Sequence, residues 1–151
     1  MNRRLSAHGL ALSLPKGCEA RIYRRRAPEG SEAFPILQAA TFPLSPSVGD
    51  FGSGAVEVMG PGDVFLSLVE FAPEQAAAAL FAHRGMPRAL HPSAFHPHSL
   101  KRPIRDEAGV QRFFTEVGRP FILYAVLGSY AARGRLVPRV NELLRSVVVQ
   151  P

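Results

Sequence analysis

Histidine is the residue that most invites a chemical reading. His83, His91, His96 and His98 crowd one stretch of the 151-residue chain. Neutral imidazole is a ligand for zinc, copper and nickel, and three histidines can hold a catalytic zinc with one position open. A histidine-based metal-binding protein or metal-dependent enzyme is therefore one reading. The spacing argues against it. There is no HExxH pattern and no cysteine pair, and His91 and His96 each precede a proline that extends the backbone. Ligating histidines also need outer carboxylates, and Asp106 and Glu107 are the nearest acids in sequence. Surface histidines in a polar loop are the simpler expectation, with no cofactor.

The candidate nucleophiles are no stronger. Cys18 is the one cysteine and cannot form an internal disulfide. It alternates with Ala20 and Ile22, which suits a small buried hydrophobe rather than an activated thiol. Ser53 in Gly52-Ser53-Gly54 lacks the Gly-x-Ser-x-Gly elbow, and Asp50-Phe51-Gly52 matches a kinase triplet without the other kinase signatures. Gly49, Gly52 and Gly54 could cradle a phosphate, but no Lys-Ser/Thr comes after them, so a mobile loop is expected.

Charge points to anionic partners in general. The net charge is +6 and the pI about 10.4, with 18 Lys and Arg together. Only Lys16 and Lys101 are lysines, so arginine dominates. Arg is the better bidentate partner for carboxylate and phosphate. The same Arg, Ala, Gly and Pro richness is what a GC-rich bacterial genome produces. Basic clusters occur at Arg21 with Arg24, Arg25 and Arg26, and at Lys101, Arg102 and Arg105. Tyr23 and Phe95 are the only aromatics interleaved with them, and no RNP or KH signature is present. Weak RNA or anionic-membrane binding is an alternative; specific nucleic-acid recognition is not expected.

These residues hang on a frame that the apolar pattern outlines. Apolar residues are 46% and charged residues 20%, which excludes wholesale disorder and coiled-coil composition. No apolar run is long enough for a transmembrane helix. Asn2-Arg3-Arg4 could open an export signal, but Ser6, His8, Gly9 and Ser13 interrupt the apolar stretch Leu5 to Leu14, and no cleavage site precedes Pro15. A cytoplasmic protein is expected, with uncleaved membrane-surface association as the rival.

Residues 10–14 and 18–23 alternate across Pro15-Lys16-Gly17 and predict a hairpin. Residues 36–42, flanked by Pro35 and Pro43, predict an edge strand or one with a ragged border. Residues 55–59 and 63–71 predict strands around Gly60-Pro61-Gly62, and 72–82 a short helix begun by Pro73. Residues 110–117 and 121–127 predict a hairpin with Gly118-Arg119 at a type II′ turn. The second of these strands is apolar on both faces, which calls for something helical on each. Leu136, Val137, Val140, Leu143, Leu144 and Val147 predict an amphipathic helix starting near 134–136, so that Pro138 falls in its first turn.

Three features resemble the PsbP-like fold family: the strand and turn Leu12-Ser13-Leu14-Pro15-Lys16-Gly17, the late apolar strand 120–128, and the C-terminal helix running into a short apolar tail, 136–149. Cys18 stands where related sequences often carry Trp. The resemblance implies adaptors and extrinsic subunits without shared catalysis. The sequence is therefore read as a single α+β domain over residues 1–151, an antiparallel β-sheet covered by helices with an amphipathic C-terminal helix. Its expected function is non-catalytic protein binding, through the long irregular loop at about 88–105. Phe95 is the expected anchor, with Arg102 and Arg105 for charge and His91, His96 and His98 for pH sensitivity.

Overall fold

The computed structural model of the protein describes residues 3–25 and 33–151. Arg26 of the first basic cluster lies outside them. Among the described residues, two antiparallel sheets and one α-helix form the frame. The larger sheet has the order β3-β4-β5-β7-β6, from β3 (Glu19–Arg24), β4 (Pro35–Ala40), β5 (Val64–Glu70), β6 (Ala108–Glu116) and β7 (Arg119–Leu127). The smaller has the order β1-β2-β8, from β1 (Arg3–Ala7), β2 (Leu10–Leu14) and β8 (Val148–Val149). Helix α1 spans Arg133–Ser146. The mixed α+β class read from the sequence is correct, with sheet the larger part.

The expected hairpin across Pro15-Lys16-Gly17 does not form. Leu10 to Leu14 pair instead with Ala7 to Arg3, closed by a two-residue loop in which His8 and Gly9 have φ of 53° and 76°. Both loop residues in the left-handed region is the geometry whose twist matches paired strands. Gly17, at φ 87°, redirects the chain into the other sheet, where Glu19 to Arg24 pair with Ala40 to Pro35. A turn signal marks a reversal without choosing the strand's partner.

β4 is interior rather than an edge, lying between β3 and β5 with all six residues buried. Pro35 occupies its first position, where a missing N–H costs least. Residues 55–59 form the short 3-10 turn Val56–Val58 rather than a strand. The expected helix at 72–82 is two 3-10 turns, Pro73–Ala77 and Ala79–Phe81. Only Phe81 of these residues is buried. A run of alanines with one anchor has too little apolar face to hold a helix of that length.

The two faces of β7 are covered differently. Phe121, Leu123, Ala125 and Leu127 join the main core with the β2 leucines and with Leu136, Val137, Val140, Leu143, Leu144 and Val147. These six are 0–1% exposed, as the helical spacing requires. Ile122, Tyr124 and Val126 face the other way, where irregular chain takes the place of the expected second helix. Val48, Ala55 and Val56 pack on Phe65, Tyr124 and Val126 there, and Phe51 meets the Tyr124 ring edge-on at 6.1 Å. α1 also begins earlier than expected, with Arg135 and Leu136 N–H donating to the Ala132 carbonyl. Pro138 therefore sits beyond the first turn and leaves the Gly134 carbonyl without its helical donor.

The irregular cover is fixed by polar groups rising from the sheet. Arg21 donates to Gln38 Oε1 (2.8 Å) and to the carbonyls of Ser45 (3.1 Å) and Val48 (2.7 Å). Buried Gln38 donates to the Gly49 carbonyl at 2.8 Å, and buried Ser67 to the Asp50 carbonyl at 2.6 Å. The Tyr23 hydroxyl donates to Asp50 Oδ1 at 2.9 Å. Burial first, and then this carboxylate, push its pKa up to about 12. The glycine loop is thus pinned rather than mobile. Its N–H groups at Gly49, Gly52 and Gly54 are taken by the Ser53 carbonyl, the Gly49 carbonyl and the Glu57 carboxylate, which leaves no phosphate cradle.

Candidate partner-binding groove

β6 is an edge strand, and among the described residues its edge is covered only at the two ends. At one end Thr115 N–H donates to the His83 carbonyl (2.8 Å), and Gly85 N–H to the Thr115 carbonyl (2.9 Å). At the other, His96 and Gly109 exchange both backbone bonds at 3.0 Å. Between these bridges the chain bows away from the strand. Glu116 pairs with Arg119 across a tight turn, so the residues whose N–H and C=O point away from β7 are Gly109, Gln111, Phe113 and Thr115. The first and last are bridged. Among the described residues the Gln111 carbonyl takes only its neighbour's guanidinium, Arg112 Nη1 at 2.9 Å. Among the described residues, nothing beyond β7 pairs with the Gln111 N–H or with either backbone group of Phe113.

A groove of about 740 Å³ lies here, with Arg112 and Phe113 on one side and His83, Pro87, Leu90 and His91 among its other walls. The bowed segment is held firmly. Asn141 of α1 accepts from Leu90 N–H (2.8 Å) and donates to the Leu90 carbonyl (3.0 Å). Arg88 donates to the Val147 carbonyl at 2.5 Å and reaches Glu116 at 3.6 Å. His91 caps the 3-10 turn Pro92–Ala94, its Nδ1 accepting from Ser93 N–H at 3.1 Å. The groove is therefore preformed, with two imidazoles and a guanidinium beside apolar side chains. Such a site can add a peptide strand through main-chain bonds and select its side chains by charge and fit.

The residues singled out in the sequence are dispersed. Phe95 is 0% exposed and belongs to the main core with Met86, Leu90 and Phe114. The expectation that it anchors a partner is thereby corrected. Pro92 and Pro97 start 3-10 turns on either side of it, and between them its side chain drops into the core. His91 lines the groove together with His83. His96 and His98 are exposed outside it, and so are Arg102 and Arg105. Arg102 pairs with Glu57 at 3.1 Å, while Arg105 lines a different cleft. Among the described residues no group of three or more His, Cys, Asp or Glu is placed to hold a metal ion. Arg21 is consumed by the loop bonds described above, so that basic cluster is partly structural. Cys18 is half-buried, and burial pushes its thiol pKa up despite Arg139 nearby, the opposite of an activated nucleophile.

Sequence reasoning missed Arg112, Phe113 and the free edge itself. The available signal was Gly118, which makes 110–117 a hairpin arm, but which arm ends a sheet is decided by non-local pairing. Comparison of the chain with family models, with curated proteins and with solved structures returns no match. Among the described residues no helix is long and apolar enough to cross a membrane.

Proposed function

We propose that this chain is a non-catalytic protein-binding module of the cytoplasm that adds an extended segment of a partner to the middle of the β6 edge. The observation that carries the reading is the interrupted edge: among the described residues the outward backbone N–H groups of Gln111 and Phe113 are unpaired, beside a preformed groove lined by Arg112 and Phe113. The free stretch between Gly109 and Thr115 is roughly 20 Å long at about 3.4 Å per residue, room for a short strand. His83, His91 and Arg112 favour carboxylate-bearing side chains on that strand, and Leu90 and Phe113 favour apolar ones. The PsbP-like layout, a resemblance to adaptors and extrinsic subunits, supports the same class of function.

Gln111→Pro tests it. Proline removes the outward N–H, and the β6–β7 ladder does not use that group, so the fold tolerates the change. Partners captured by the wild-type chain from native cells at moderate salt, identified by mass spectrometry, should be lost or weakened at least tenfold. The melting temperature should barely move. An unchanged partner set with the variant folded would refute the edge as the binding site.

A further inference from the structure

Glu107 stands just before β6 and is 4% exposed, yet among the described residues its Oε1 has no hydrogen-bond partner. Buried polar groups are nearly always paired, so an orphaned carboxyl serves the fold badly. Burial, with Glu57 adding to it, pushes its pKa up from 4.5 to about 7. Perturbed acids in clefts mark functional sites. Glu107 lines a cleft of about 590 Å³ where β7 leaves the sheet, together with Arg105, Asp106, Ser129 and Tyr130. That volume lies within the range of small-ligand sites. The walls are tied together: the backbone carbonyl of Asp106, a residue held at φ 69°, accepts the Tyr130 N–H at 2.6 Å.

Charge selects the ligand. Arg105 and Asp106 are both exposed and offset one another, and Arg102 is engaged by Glu57. Glu107 therefore sets the sign of the cleft, which becomes acidic on ionisation in a protein of net charge +6. Glu107 Oε1 is sealed from solvent and has no partner among the described residues, so a ligand in the cleft meets the other oxygen, Oε2, and a guanidinium fork cannot engage both. A compact ammonium needs only one.

We propose that this cleft binds a small organic ligand through an ammonium group, with ionised Glu107 as its counter-charge. Asp106 supplies a second acceptor, and the ligand's body lies against Met59 and Tyr130. The titrating groups around Glu107 are Glu57 on the turn Val56–Val58, Tyr124 on β7 and the adjacent Arg105 and Asp106. The cleft shares no lining residue with the β6 groove, so it stands or falls independently of the peptide-binding reading.

The test uses the full chain with carboxyl-labelled glutamate, titrated by carbon NMR with n-butylammonium, and with 1-butanol and butyrate as controls. The amine should lower the Glu107 midpoint by one pH unit or more at saturation, and neither control should. Its apparent affinity should rise about tenfold per pH unit below that midpoint, because only the ionised carboxyl binds it. Glu107→Gln should weaken amine binding at least tenfold. An unmoved midpoint, equal binding of butanol, or full affinity in folded Glu107→Gln overturns the proposal. If that variant does not fold, the wild-type midpoint decides alone.

Discussion

The unpartnered carboxyl of Glu107 should make the stability of the domain fall as pH rises. An acid whose folded pKa is raised leaves stability intact below its unfolded pKa and removes it as pH climbs through the folded value. Here the window runs from 4.5 to about 7. In that window the unfolded chain ionises Glu107 while the fold holds it protonated. At about 1.4 kcal/mol per unit, ionising the folded group costs on the order of 3 kcal/mol above pH 8. Glu107→Gln removes the titration and replaces it with a pH-independent amide. The comparison is a difference of differences: urea unfolding of both proteins at pH 4 and at pH 8.5. Every other titrating group is shared and cancels. The variant should gain about 3 kcal/mol relative to wild type on going from the acid to the alkaline condition, whatever its offset at pH 4. A wild-type-minus-variant difference that stays flat across this range would show that Glu107 ionises freely in the fold.

Arg119 forms a two-pronged pair with buried Glu70, at 2.6 and 2.9 Å, and Arg119→Met should cost about 3–5 kcal/mol in thermal unfolding because the carboxylate loses its partner; a loss below 1 kcal/mol would mean that water replaces the guanidinium. Val117 sits in the β6–β7 turn at φ 45°, a region β-branched residues avoid, so Val117→Asn should stabilise by about 1 kcal/mol in denaturant titration, whereas no gain would show that the turn relaxes at no cost. A Cβ at Gly128 would collide with the Gly60 carbonyl oxygen, so Gly128→Ala should destabilise by about 1–3 kcal/mol or more, and a neutral result would place these two backbones farther apart.

Period and punctuation reached some of this fold and not the rest. The stripe Leu136 to Val147 gave α1 its buried face because helical spacing is a local property. β5, β6 and β7 were likewise legible from their apolar runs. Partner choice was not. Residues 10–14 and 18–23 alternate around a good turn, yet the His8-Gly9 loop captured the first of them and sent the second to another sheet. The Val117-Gly118 turn was displaced by one residue from the expected Gly118-Arg119 pair, because Arg119 is held in register by Glu70, a residue distant in sequence. Phe95 shows the same limit for the site. Its flanking prolines advertised an exposed loop, and only the tertiary packing of Met86, Leu90 and Phe114 reveals that the ring lies inside. The groove depends on which strand ends the sheet, and no window of sequence contains that information.

The small sheet couples the two ends of the chain: Leu10 pairs with Val149, and the Ser13 backbone exchanges hydrogen bonds with Ser146 Oγ at 3.0 and 3.1 Å. A ribosome makes these partners in order. At about 5–20 residues per second, the N-terminal leucines wait on the order of ten seconds before α1 and β8 exist to cover them. During that interval Leu10, Leu12 and Leu14 form an apolar strand with one side open, a natural substrate for a holding chaperone. A chain released early, short of α1, has no way to close the core, and quality control meets it as an exposed strand rather than as a smaller folded protein.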